Sequence, residues 1–214
     1  TDTLQKYFLQ ARLSYKKIEP IIEYYFPHYI YLLNPPAIKM AEDLNPPQGM
    51  QVIEERLFPS FDQADKEKLL GDLYKINSAI QALSGFDEMF RVDANLPDAI
   101  IEELYRIVTQ GITGFDSPIA QYSITEASVS LGSVREILEI NASRFNSGSP
   151  SRYQQMIGLL KQAEQYCRDH DDFNTFDSMH FIRTYMNPVT DWLGSEKIRL
   201  GVFDYTRTSK LPLR

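Results

Sequence analysis

The chain has 214 residues, of which 43% are hydrophobic and 24% charged. These proportions exclude wholesale disorder, collagen-like repetition and a disulfide-stapled miniature. Its 29 acidic residues against 22 basic ones give a net charge of −7, which argues against a nucleic-acid binder with its basic face. No apolar run reaches the ~18 residues of a membrane span. The single cysteine, Cys167, rules out an intramolecular disulfide, a Cys-cluster metal site and a CxxCH haem attachment within this segment.

Apolar residues recur at three- and four-residue steps nearly throughout, the period of an amphipathic helix. Phe8, Ala11, Tyr15, Ile18, Ile22 and Tyr25 predict one stripe. Leu69, Leu73, Ile76, Ile80 and Leu83 predict a second, behind a Ser60-x-x-Gln63 capping box. Ile100, Leu104, Ile107 and Gly111 form a third, introduced by Asn95 and Pro97. The fourth begins at Ser123-x-x-Glu126, also a capping box, and runs through Ala127, Leu131, Val134 and Leu138. Ser149-Pro150 opens the fifth, with Met156, Leu160, Ala163 and Cys167 inward. The last carries Met179, Ile182, Met186, Val189 and Leu193, with a kink expected at Pro188. No segment alternates with period two between hairpin turns. The expected fold is all-α, an antiparallel bundle of six to eight helices.

Pro27 to Pro47 interrupts this pattern with Pro27, Pro35, Pro36, Pro46 and Pro47. It predicts a proline-rich loop of a length more often functional than idle, delivering the chain to a short helix at Gly49–Phe58. Position 1 is threonine, so an upstream segment, such as a signal peptide, is expected to have been removed. Residues 197–214 lose apolar periodicity and are read as a tail or linker, leaving 1–196 as the helical domain.

Several polar residues sit where they could carry chemistry. Gln51 and Glu54, three apart, share one helix face. Turned inward they would resemble the carboxylate sites of helical bundles; turned outward they are a solvated helix start. Arg12 and Glu19 flank Tyr15 on the first stripe, and Pro20 removes the amide that would bond the carbonyl of Lys16. That corner suits a cation, a ligand donor or a flanking salt bridge. Gly114, Asp116 and Pro118 read as a tight turn with Asp116 as its cap. His28, His170 and His180 are scattered; His170 suits a helix C-terminus, and Asp177/His180 have ligand-like spacing without a third partner. Cys167 reads as a small buried hydrophobe. No GxSxG, HExxH, P-loop or dinucleotide fingerprint occurs.

Ala11-Arg12-x-x-Tyr15-x-x-Ile18-Glu19-Pro20, followed by Gly49-x-Gln51-x-x-Glu54 and Leu57-Phe58, resembles the imelysin family. That family of exported helical bundles includes insulin-cleaving membrane proteases and periplasmic components of ferrous-iron uptake. Its hallmark GxHxxE has Gln51 in place of histidine here. A glutamine carbonyl ligates hard cations but replaces imidazole poorly on zinc or iron, and it is no base near neutral pH. The resemblance thus implies a binding or docking module rather than a peptidase. Any surviving site for a divalent metal would use Glu19, Gln51 and Glu54, with Arg12, Tyr15, Gly49 and Asp116 as ligand-binding neighbours and no catalytic residue. The wording from Gly49 to Pro59, with Gly114-Phe115-Asp116-Ser117-Pro118, is further similar to the N-terminal region of dihaem cytochrome c peroxidase-like proteins of Bacteroidetes type. This implies a periplasmic or cell-surface location and a fused or docked haem domain that holds the haem. The alternatives are a stand-alone periplasmic iron-binding protein and, behind it because of Gln51, a metallopeptidase.

Overall fold

A computed structural model describes residues 2–35, 48–85 and 95–202. Among these residues there are eleven α-helical segments and no strand: α1 Asp2–Lys16, α2 Glu19–Tyr25, α3 Pro27–Leu33, α4 Met50–Leu57, α5 Lys66–Ser84, α6 Leu96–Arg106, α7 Ser123–Ile140, α8 Ala142–Phe145, α9 Pro150–Asp169, α10 Ser178–Phe181 and α11 Asn187–Arg199. The protein is the expected all-α bundle. Segments outnumber the predicted rods because several rods are divided. None of the helices described is long and apolar enough to cross a membrane.

The α7–α9 pair is the spine. Tyr153 Oη donates to the Leu138 carbonyl at 3.2 Å, and further along Arg135 Nε meets Glu164 Oε1 at 2.6 Å. Descending numbers on one helix meet ascending numbers on the other, so the pair is antiparallel. Its predicted stripes are inward as read: Leu131, Val134, Leu138, Met156, Leu160, Ala163 and Cys167 are all fully buried. Burial pushes the Cys167 thiol up to about 12, which makes it inert. Together with α6 and α11 this spine builds the larger of two apolar cores. A smaller one joins Phe8, Tyr15, Ile22, Leu33, Met50, Ile53, Leu57, Leu69, Ile76 and Ala79.

The N-terminal half departs from its predicted pattern in physically readable ways. The first stripe breaks at a turn after Lys16, with Pro20 in the first turn of α2. Phe8, Tyr15 and Ile22 remain inward, but Ile18 is 47% exposed while Arg12, Lys16 and Glu19 are buried in its stead. On α5 the inward face is Leu69, Asp72, Ile76 and Ala79; Leu73 and Ile80 face out, 45% and 46% exposed. Pro27 begins α3 instead of a loop, using the first-turn position where its missing N–H costs nothing. The remainder of the predicted loop, residues 36–47, lies outside the described residues, as do residues 203–214 of the predicted tail. Lys197 itself is helical, and α11 continues to Arg199.

Neither predicted capping box forms. Asp62, not Ser60, accepts from the Ala64 amide, and Ser123 is already inside α7, which frees Glu126 to point into the protein. Ser149 does cap α9, accepting from the Arg152 amide. At Pro188 the chain adjusts through a π-helical turn, Ile182–Met186, immediately before α11. This wide turn is where the hydrogen-bond register changes ahead of the proline.

Candidate functional site

The most unusual chemistry lies where the two apolar cores meet. Arg12, Lys16, Glu19, Glu23, Asn34, Gln51, Glu54, Glu103, Arg106, Asp116 and Glu126 are all buried there. Charges are withdrawn from water only where partners compensate them, and most of this set is densely paired. Glu126 binds Arg12 through both carboxylate oxygens, to Nε and, at 2.7 Å, to Nη2. This links α1 to α7. The same guanidinium donates to the Asp116 carbonyl.

Lys16 is the second node. Its Nζ donates to Glu19 Oε1 and Oε2 at 2.9 and 2.7 Å and to Asp116 Oδ2 at 2.7 Å. Arg106 of α6 is the third. Its Nη2 donates to Asp116 Oδ1 at 2.9 Å, while Nε lies 3.0 Å from Glu19 Oε1 and Nη1 3.2 Å from Glu23 Oε1. The last two are charge contacts without hydrogen-bond alignment, since Arg106 Nε and Glu23 Oε1 have no hydrogen-bond partner. Ser130 and Asn34 complete the shell of Glu19, each donating at 3.3 Å.

These partners set the protonation states. Burial alone would raise the carboxyl pKa of Glu19, but Lys16 and Arg106 outweigh it and hold it below the ordinary value. Asp116 is held well below its ordinary range in the same way, by Lys16, Arg106 and Arg12 against burial. Burial works against the charge on Arg12 and on Lys16, yet Glu126 for the first and Asp116 with Glu19 for the second keep both firmly cationic. Asp116 is thus more than a turn cap: it is the anion on which Lys16 and Arg106 converge.

The α4 motif residues also turn inward, but toward the chain itself. Gln51 Nε2 donates to the Phe115 carbonyl at 2.9 Å. Glu54 Oε1 accepts from the Ser117 hydroxyl at 3.1 Å and from the amides of Ile119 and Ala120 at 2.9 and 2.7 Å. The two side chains thereby hold the connection between α6 and α7 in place. That connection needs its glycine: Gly114 has φ of +82°, and a Cβ there would sit 2.9 Å from the Phe173 ring. Gly49 is required more strictly. Its φ is +84°, and a Cβ would meet the Leu33 carbonyl oxygen and Pro35 Cδ at 2.7 Å.

The sequence-predicted residues are therefore brought to one joint, with an outcome their spacing did not specify. Glu19 is saturated by Lys16, Arg106, Ser130 and Asn34, so a metal could reach it only by displacing cations. Among the described residues no group of three or more His, Cys, Asp or Glu side chains is arranged to hold a metal ion. Tyr15 is buried with its hydroxyl unpartnered. Asp177 caps α10 by accepting from the His180 amide, and His170 ends α9 with Nδ1 2.9 Å from the Tyr166 carbonyl.

Sequence reasoning missed Lys16, Glu103, Arg106 and Glu126. Glu126 was hidden by its capping-box spacing. A charge at each three- or four-residue step inside an apolar stripe was the available signal for Arg106 on α6. A surface groove of about 490 Å³ lies elsewhere, between α3 and α5, lined by His28, Tyr29, Leu32, Tyr74, Lys75, Ser78, Ala79 and Ala82. None of the network's side chains lines it. The chain matches no protein-family model and no curated protein.

Proposed function

We propose that this chain is a non-peptidase, imelysin-like binding or docking module of an exported bacterial protein, the accessory domain of a dihaem cytochrome c peroxidase-like protein. In this reading the peroxidase chemistry and the haem belong to the partner domain. The observation that carries it is the use made of the motif: Gln51 and Glu54 hold the 115–120 connection by direct hydrogen bonds. Residues that would carry hydrolysis in a peptidase instead make a rigid joint. Gln51 also supplies no base, and Glu19 offers no free ligand position. A docking module additionally needs a face, and α5 presents Leu70, Leu73, Tyr74 and Ile80, 39–71% exposed, for the haem domain to cover.

Two experiments test this reading. The chain, incubated with zinc, iron(II), manganese or calcium and an unfolded protein substrate, is expected to cleave nothing. Chelator-sensitive cleavage would overturn the non-peptidase half. The haem domain encoded in the same reading frame, added as a separate chain, is expected to co-elute with this one. A reading frame without two CxxCH motifs, or no association between the chains, overturns the docking half.

A further inference from the structure

The network at the joint contains more acid than base. Its buried cations are Arg12, Lys16 and Arg106, against the carboxylates of Glu19, Glu23, Glu54, Glu103, Asp116 and Glu126. Arg12 is committed to Glu126, and Lys16 to Glu19 and Asp116. Glu54 is satisfied by a hydroxyl and two amides. Glu103 is left over. It is 0% exposed, and neither of its carboxylate oxygens has a hydrogen-bond partner. Across the α2–α6 contact, Glu23 is buried with Oε1 also lacking an aligned donor, and the unpartnered Tyr15 hydroxyl lies in the same joint.

An ionised Glu103 without a donor, beside a Glu23 that has only an unaligned share of Arg106, is strongly disfavoured in a buried contact. Something positive must neutralise them. No three metal-ligating side chains come together among the described residues, which leaves the smallest cation. We propose that Glu23 and Glu103 form a proton-binding pair across the α2–α6 contact, so that the joint between the two halves is tight when they are protonated and loosens when they ionise.

The surroundings of the pair support this assignment. From α1 it faces Tyr15 and Lys16, from α2 Glu19, from α6 Arg106, and from the α6–α7 connection Asp116. On α7, Glu126 is held by Arg12. On α11, Lys197 is bound to Asp98 in the first turn of α6 and Glu196 to Arg199. On α3 the titratable side chains are the exposed His28 and Tyr31 and the half-buried Tyr29. Two cations act on the pair, and both are committed elsewhere: Lys16 to Glu19 and Asp116, and Arg106 to Glu19, Glu23 and Asp116 together. Burial, reinforced by Glu19, pushes the Glu103 carboxyl well above the ordinary range, and burial pushes Glu23 up to about 7 despite Arg106.

The sign follows from linkage. The folded protein holds these protons more tightly than the unfolded chain, so the stabilisation is complete below the ordinary glutamate value of 4.5. It erodes as pH rises through about 7, where Glu23 ionises, and further where Glu103 does.

The test is thermal melting from about pH 5 to about pH 9 of the wild type, Glu103→Gln and Glu23→Gln. The wild-type Tm is expected to fall throughout this range, with amide exchange in α2 and α6 accelerating together. Either glutamine variant should flatten the decline, because glutamine keeps the neutral shape and cannot ionise. Parallel pH profiles for the wild type and both variants would overturn the proposal. If the variants do not fold, carbon-13 titration of the wild-type glutamate carboxyls decides: two coupled carboxyls titrating near and above neutrality support the pair, and none doing so overturns it. Added calcium, magnesium or manganese that restores the alkaline Tm of the wild type but not of Glu103→Gln would reassign the site to a metal and overturn the proton reading.

Discussion

The two halves of the bundle are held by different physics. The C-terminal core, built on α6, α7, α9 and α11, is apolar and closed: Ile100, Ile124, Leu131, Val134, Leu138, Phe145, Met156, Leu160, Phe181, Val189 and Leu193 have no exposed surface. Such packing approaches the density of an organic crystal and is self-sufficient. The N-terminal half has a smaller apolar cluster. Its attachment to the rest runs through buried ion pairs, Arg12 to Glu126 and Lys16 to Asp116, and through the hydrogen bonds of Glu54 to the amides after Ser117. The contrast teaches that a buried salt bridge here acts less as a source of stability than as the means by which one half registers on the other.

The largest expected effect comes from cutting that registration. Arg12→Ala leaves Glu126 buried without its bidentate partner and should cost about 3–5 kcal/mol in denaturant unfolding. Hydrogen exchange should show α4 and α5 losing protection while α7 and α9 keep theirs. A variant within about 1 kcal/mol of wild type, or one that loses protection uniformly, would break the comparison.

A somewhat smaller and differently distributed loss is expected from Leu131→Ala, which opens a cavity in the closed core. It should cost about 2–5 kcal/mol, and protection should fall in both halves because the N-terminal half has little to stand on alone. Retained protection in α4 and α5 would show that half to be independent.

The smallest effect is expected at Ile80→Ser, since the side chain is 46% exposed on α5. The stability change should stay within about 0.5 kcal/mol, while association with the haem domain, measured by titration calorimetry, should weaken. A destabilisation of about 2 kcal/mol would mean that this face is covered within the chain itself.

Legibility in the sequence followed the same division. Where α6, α7 and α9 are concerned, the three- and four-residue steps named the buried residues because period 3.6 and an apolar partner on one side leave little choice. Around α1, α2 and α5 the same reading put Ala11, Ile18, Leu73 and Ile80 inward, and they are not. A stripe computed on one helix cannot know that the facing helix presents Asp116, Arg106 and Glu126, which make Lys16 and Glu19 the better occupants of the interior. The motif carried Arg12, Tyr15, Glu19, Gln51 and Glu54 to a single place. The partners of Gln51 and Glu54, and the Glu126 that binds Arg12, lie about 60 to 115 residues away in sequence, where no local pattern reaches.

By itself, then, the sequence determined the all-α class, the course of the C-terminal helices and the burial of Cys167, because these depend on periodicity, proline and residue size. Only the tertiary structure decided which way the polar residues of the stripes would turn, that Glu54 would bind backbone amides, and that Glu103 would be left without a donor. Those outcomes depend on the balance between desolvating a charge and pairing it, and the pairing partner is supplied by a distant helix.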